Sequence, residues 1–294
     1  MTMQLGCIIP NSGPLLSRTP LAEAVAVVEE GGADSIWFSD HLVMMENPSD
    51  AHPYSPSAKE QVDRVSNAAA DWNEVLTCMA YAAACTDKLR IGTAVLVLPQ
   101  RNTVEMAKVC STLDRLSKGR CVLGIGAGWL RDEFEFVGYD FDSRYPRLEE
   151  QVRLLREYWT NPRQVVDGKA FYLTPAPEYG VPLLLGGNKP QALRRAARLG
   201  DGWLGLAMSY TSYVEDTAEQ LAILQEAGAG IERPFQRVIR LAVKDRNDED
   251  GLLTMFSELA GLGFDEMIIE PSWESADRVI NLLAEARKLI PAAS

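Results

Sequence analysis

Short aliphatic runs alternate with segments of helical apolar spacing along almost the whole chain, and this alternation restricts the fold more than any other feature of the sequence. It is densest from Leu89 to Glu133, LRIGTAVLVLPQRNTVEMAKVCSTLDRLSKGRCVLGIGAGWLRDE. There, twice in succession, a β-branched run passes through a Gly or Pro turn into apolar residues at helical spacing. A parallel strand buried on both faces and feeding its crossover helix reads this way. The same reading places further strands at 5–10, 35–39, 181–185, 202–206, 236–244 and 266–270. Helices are expected at 21–30, 72–85, 147–159, 190–199, 213–226, 248–259 and 275–288. Eight strands, each followed by a helix, predict an α/β fold of the (β/α)8 TIM-barrel type in a single domain over residues 1–294. The competing architecture, a doubly wound open sheet, rarely runs to eight uninterrupted units in a chain of this length.

Composition narrows the function classes. The 47% of apolar residues includes no uninterrupted run of the ~18 needed to span a bilayer, so no membrane partner is expected. The opening MTMQLGCIIP lacks a basic segment followed by a long apolar one, and a cytoplasmic location is expected. Cys7, Cys78, Cys85, Cys110 and Cys121 are odd in number and lack metal-ligand spacing, which reads as reduced core thiols and no metal. A net charge of −12 argues against a nucleic-acid partner, while leaving room for a local anion site built from backbone amides.

Two long loops interrupt the alternation. Residues 40–71 follow the second strand, are rich in Pro, Ser, Asn and Asp, and contain both histidines, His41 and His52. Loops after barrel strands stand on the catalytic face, so this segment is expected to wall the site. Residues 161–180 contain VVDGKAFYLTPAPEYG, in which Asp167-Gly168 between apolar runs predicts a small hairpin inserted before the fifth strand.

Candidate chemistry gathers where strands end. His41 follows Asp40 directly after Ile36-Trp37-Phe38, which sets an imidazole that titrates near neutrality at the barrel mouth. His52, in HPYSP, lacks that placement and reads as a loop residue. Gly124-Ile125-Gly126-Ala127-Gly128 is a poor dinucleotide fingerprint, because the third glycine and the following acidic residue are missing. Its glycines either let a ligand approach the mouth closely or make a tight turn. In Leu185-Gly186-Gly187-Asn188-Lys189-Pro190 a strand ends, two glycines expose amides, and a helix starts with Asn188 as candidate N-cap. Amides and helix dipole converge there on a phosphate-sized anion, unless the segment is an ordinary capped turn. Trp37, Tyr54, Trp72, Trp129, Phe134 and Tyr145 fall on or near the predicted mouth; Trp37 reads as core, and Tyr54, Trp72 and Trp129 as substrate-pocket residues.

SIWFSDHL, LRIGTAVLVLPQRN, LDRLSKGRCVLGIGAGWLRDEFEFVG and PLLLGGNKPQALRRAARLGDGWL together resemble the luciferase-like monooxygenase superfamily, and within it the deazaflavin-dependent oxidoreductases. The resemblance covers strands two to six well and is weaker after Leu206. It implies that the backbone at Thr93, Ala94 and Val95 bulges, with a non-prolyl cis bond at Ala94-Val95 behind a flavin-type ring. It adds Asn102, Gly126, Gly128, Gly186, Gly187 and Asn188 as cofactor contacts, with the phosphate at the Gly186-Gly187 turn, and has DGW, Asp201 to Trp203, help to shape that pocket. It further implies His41 as proton donor, acceptor or electrostatic partner, with Asp40 orienting it or touching the ring. Two positions depart from the pattern: Trp129 stands where sugar-phosphate dehydrogenases of the branch have an acid, and Thr103 where proline is usual after the asparagine. Glu133 and Glu74 are candidate replacements for the acid, although both read as helix-surface carboxylates. The activity implied first is hydride transfer between reduced coenzyme F420 and a small organic substrate. The alternatives are an FMN-dependent monooxygenase using oxygen and a partner reductase, and a cofactor-binding protein without turnover. A homodimer is expected, as is common among similar proteins.

Overall fold

The computed structural model describes residues 2–13, 16, 19–46 and 71–291. Its first half contains β1 (Gln4–Ile8), α1 (Leu21–Glu30), β2 (Ser35–Phe38), α2 (Val75–Cys85), β3 (Arg90–Val97), α3 (Thr103–Ser117), β4 (Cys121–Gly126), α4 (Arg131–Phe136) and α5 (Arg144–Thr160). The hairpin β5 (Arg163–Val166) and β6 (Lys169–Tyr172) comes next. The second half continues with β7 (Leu183–Gly186), α6 (Pro190–Leu199), β8 (Gly202–Met208), α7 (Tyr213–Ala227), β9 (Gln236–Ala242), α8 (Glu249–Ala260), β10 (Glu266–Ile269) and α9 (Ala276–Lys288). The strands close in the order β1-β2-β3-β4-β7-β8-β9-β10, with every neighbouring pair parallel. This is the expected (β/α)8 barrel. The inserted hairpin turns at Asp167 and Gly168, both with positive φ (48° and 73°), as a two-residue hairpin turn requires.

Where local chemistry competes with periodicity, element ends shift. The helix expected from residue 72 starts at Val75, because the Glu74 side chain accepts from Thr77 N–H at 2.7 Å and caps the first turn. The six-residue α4 was not legible as a helix of its own, being too short to show a period. His52 and Tyr54 lie outside the described residues.

Strand parity divides the core in two. Leu5, Cys7, Ile36, Phe38, Ile91, Leu123, Ile239 and Leu241 belong to the layer between sheet and helices, while Ile8, Trp37, Ala94, Val122, Leu184, Leu204, Val238 and Ile268 fill the barrel interior. Burying each such side chain stabilises by roughly 1.5–3 kcal/mol. Trp37 dominates the inside, as expected of a core residue. A Cβ on Gly6 would lie 2.8 Å from its indole nitrogen, and one on Gly92 would overlap its ring, so glycines on both flanking strands make room for it. Below Trp37, at the amino ends of the strands, its N–H donates to Ser35 Oγ (2.7 Å) and Glu266 Oε1 (2.8 Å), and Arg90 pairs with Glu266 at 2.9 Å. Ser35 also bonds Glu266, and Arg90 also bonds Gln4. All five cysteines are free; four are buried, whereas Cys85 is exposed, contrary to its reading as a core thiol. Burial pushes the Cys7 and Cys110 thiols far above their ordinary range.

Candidate active site at the barrel mouth

β2 ends at Phe38, and the two residues predicted for chemistry follow in its first turn of loop, with different partners. Asp40 is buried and accepts from both terminal nitrogens of Arg101 at 2.7 Å and from Val97 N–H at 2.8 Å. Its carboxylate is thereby committed to joining the ends of β2 and β3, and it does not orient His41. That place is taken by Glu133 on the first turn of α4, whose Oε2 lies 3.1 Å from His41 Nδ1. Glu133 Oε1 accepts from the N–H groups of Leu42 (2.6 Å) and Val43 (3.1 Å), so one carboxylate holds both the imidazole and the backbone that carries it. Reading Glu133 as a surface group is corrected: it is 1% exposed. Burial alone raises its pKa, but hydrogen bonds from His41 and Val43 and the attraction of the imidazole outweigh this and hold it below the usual carboxylate range. Glu74 is the surface carboxylate expected, capping α2.

Facing the Glu133 carboxylate, Nδ1 is the nitrogen placed to donate, and Nε2 is the ring nitrogen left for a ligand. Trp72 and Trp129 stand edge-on to the imidazole, with centroids 5.1 and 6.0 Å away. Trp72 is carried there by an antiparallel bridge to Ser12 and by Asn11, whose side chain donates to Ser39 O (2.8 Å) and Asn73 O (3.1 Å). His41 and Trp72, from the two ends of the loop after β2, and Trp129, from the loop after β4, thus meet in one aromatic, half-buried corner. Phe134 is instead sealed in a satellite cluster with Val97 and Phe141, and Tyr145 is exposed beside Arg144 and Arg195.

Beside this corner β3 loses its regular register to β4 between Thr93 and Leu96, and the Ala94-Val95 peptide bond is cis, as the resemblance implied. Thr93 Oγ1 donates to Gly124 O at 2.8 Å inside the wall. Val95 turns over the mouth: a Cβ on Gly126 would come within 2.7 Å of it, and one on Gly186 within 2.9 Å, while a Cβ on Gly124 would overlap the Thr93 carbonyl oxygen. The glycines of β4 therefore do not make a turn; they clear space for the β3 bulge. Gly128 is the turn glycine, with φ of 81°, and a side chain there would strike Phe134 and Val97.

At the end of β7, Gly187 has φ of 121°, and its carbonyl accepts from the Trp203 indole at 2.9 Å. Asn188 is not the helix cap. Its carboxamide donates to Leu206 O (2.5 Å) and accepts from Leu206 N–H (3.1 Å), tying the loop to β8, while Lys189 occupies the cap position without a side-chain bond. No side chain caps the first turn of α6, an arrangement suited to a phosphate. Asn102, exposed, caps α3 through Val104 N–H (2.9 Å) and Glu105 N–H (3.1 Å). Asp201 stands at the opposite end of the barrel, bonded to Leu183 N–H (2.9 Å) and Arg156 (2.8 Å), so of the DGW segment Trp203 alone reaches the Gly187 turn.

Sequence reasoning missed two charged residues at this mouth. Arg240 Nη1 donates to Ala94 O at 2.9 Å, and its Nη2 and Nε lie 2.5 and 3.2 Å from Glu270 Oε2; Glu270 also pairs with Arg246. The available signal was parity: in β9, Arg240 lies two residues beyond Val238 on the inward face.

Closed parallel barrel, bulged third strand and histidine-carboxylate pair thus meet at one end of the strands. The apolar Val95 between two glycines suits a ring face, and the uncapped α6 start suits a phosphate. Among the described residues no group of three His, Cys, Asp or Glu side chains is placed to hold a metal. The chain belongs to the luciferase-like monooxygenase family, whose profile matches residues 3–290. It is 32% identical over 242 residues to an F420-dependent glucose-6-phosphate dehydrogenase of Kineococcus radiotolerans; this stretch covers 78% of the chain but only 64% of that relative. The fold is similar to that of an F420-dependent secondary alcohol dehydrogenase solved with an F420-acetone adduct (TM-score 0.75, 15% identity, 99% of this chain and 100% of that one). It is also similar to the oxygenating component of 3,6-diketocamphane monooxygenase from Pseudomonas putida, solved with FMN (TM-score 0.58, 16% identity, 82% and 67%).

Proposed function

We propose that this chain is a deazaflavin-dependent oxidoreductase that transfers hydride between coenzyme F420 and a small organic carbonyl or alcohol. The observation that carries the reading is the buried His41-Glu133 pair beside the β3 bulge at the mouth of the barrel. F420, when bound, supplies the hydride chemistry. Val95, with the backbone of Thr93 and Ala94, backs the ring; Gly126 and Gly128 shape the wall; Gly186 and Gly187, braced by Asn188, present amides to the phosphate; Asn102 lies at the rim. Glu133 fixes the His41 tautomer, and Nε2 gives or takes the proton at the substrate oxygen. F420 is placed before FMN because five curated relatives, matched over 63–80% of this chain, are F420-dependent by name. Their sugar-phosphate substrate does not carry over with the cofactor. Among the described residues, Trp72, Trp129 and a carboxylate stand around His41, which favours a neutral apolar or aromatic substrate over a phosphorylated sugar. Tyr54, in the loop after β2, belongs to the same proposed pocket.

A phosphate anchor serves FMN equally well, so monooxygenation with oxygen and a partner reductase is the second reading, and binding without turnover the third. Anaerobic titration with F420 and with FMN, followed by oxygen-uptake assays, separates them. Tight F420 binding with hydride exchange and no oxygen uptake is the expected result; FMN-dependent oxygen consumption would overturn it. A single domain, a cytoplasmic location and a homodimer complete the proposal, and no described helix is long and apolar enough to cross a membrane.

A further inference from the structure

The inward-facing residues at the top of the barrel form two unlike halves. Val95, Gly126, Gly186 and Leu206 make one half small or apolar, and Arg240 and Glu270 make the other charged. An arginine in this layer is costly unless its donors are used. Arg240 uses them across the mouth. It donates to Ala94 O of β3 (2.9 Å), pairs with Glu270 just beyond β10 (2.5 Å), and lies 3.4 Å from Ser39 Oγ at the end of β2. The guanidinium side chain is 20% exposed, and its partner Glu270 9%. Glu270 is held from its other oxygen by Arg246, in the loop after β9. One planar cation therefore ties its own strand to three others, and the backbone it grips immediately precedes Val95, the residue that fills the gap between Gly126 and Gly186.

We propose that Arg240 is the positioning residue for the cofactor-ring bed: by clamping the Ala94 carbonyl and anchoring itself on Glu270, it fixes where Val95 stands and hence the orientation of the ring. This rests on the cofactor reading above. Lysine cannot replace it fully, because an ammonium supplies a point charge where the geometry asks for a fork that reaches a carbonyl and a carboxylate together.

The test measures F420 affinity by fluorescence quenching, the circular dichroism induced in the visible band of the bound cofactor, and the melting temperature of the cofactor-free protein. Arg240→Met should weaken F420 binding by about tenfold or more, the worth of one charge-assisted hydrogen bond. At saturating cofactor it should also change the induced dichroism. Arg240→Lys should recover part of the affinity but not the wild-type dichroic band, and guanidinium ion added to Arg240→Ala should move the band back toward wild type. A residue that serves stability alone would lower the melting temperature and leave the band of the saturated protein unchanged. Wild-type affinity and dichroism in folded Arg240→Met overturn the inference; should that variant not fold, the same result in Arg240→Lys overturns it. Wild-type protein that binds neither F420 nor FMN defeats the cofactor reading and this inference with it, whereas F420 binding that ignores residue 240 defeats this inference alone.

Discussion

The two ends of the barrel interior use the same kind of ion pair for opposite purposes. At the amino end, Arg90 and Glu266 face inward beneath Trp37, and the indole, Ser35 and Gln4 take up the remaining hydrogen bonds. Two strand positions above Trp37's layer, Arg240 and Glu270 repeat the arginine-glutamate pairing, but the positions facing them are Val95, Gly126 and Gly186. A charged layer sealed by a large ring is a closed foundation; the same layer facing glycines and a valine leaves the barrel open where loops bring in His41, Trp72 and Trp129. What separates a structural end from a binding end is thus the volume of the neighbours more than the charge.

That contrast yields a graded set of expectations. His41→Ala should lower turnover by about 10²–10⁴-fold, the usual contribution of a general acid or base, while F420 affinity stays near wild type; an equal loss of affinity would assign the imidazole to binding instead. Glu266→Ala, which strands Arg90 at the closed end, should cost about 3–5 kcal/mol in urea unfolding. The same variant should leave F420 affinity intact, so a selective loss of affinity without destabilisation would erase the distinction between the ends. At the open end, Gly186→Ala should cost about 1–3 kcal/mol by overpacking against Val95. Combining it with Val95→Ala should recover part of that loss, and strictly additive effects in the double-mutant cycle would show that the two do not touch as described. The smallest effect concerns pH. The carboxyl of Glu133 lies below its ordinary range in the folded protein, so its contribution is fully present above roughly pH 4.3 and is lost as pH falls through the folded value. Glu133→Gln should flatten that acid limb of the stability profile, and an unchanged limb would place the titration elsewhere.

The fold was legible because its signal is local and repeated. Aliphatic runs such as Ile91 to Val97 and Val122 to Ile125 and the helical spacing after them each vote for the same unit, and Asp167-Gly168 announces its hairpin through backbone preference alone. Parts of the site were legible for the same reason: His41 stands at a strand's end whatever its partners, and the bulge at Ala94-Val95 travels with a recognisable motif. The partners were not. Asp40 and Glu133 lie one and 92 residues from His41, and proximity in sequence pointed to the wrong one. Asn188 has the composition of a helix cap, yet Leu206 on the neighbouring strand offers its carboxamide both a donor and an acceptor.

From the order of residues alone came the eightfold alternation, the closed parallel barrel, the inserted hairpin and the list of mouth positions, since each follows from periodicity or backbone preference within a few residues. The assignment of Glu133 to His41, of Arg101 to Asp40 and of Arg240 to the Ala94 carbonyl came only with the folded chain. Such pairings depend on which strands lie side by side and which faces they turn inward, and hydrogen bonds of about 3 Å between residues up to 146 positions apart leave no periodic trace in a sequence.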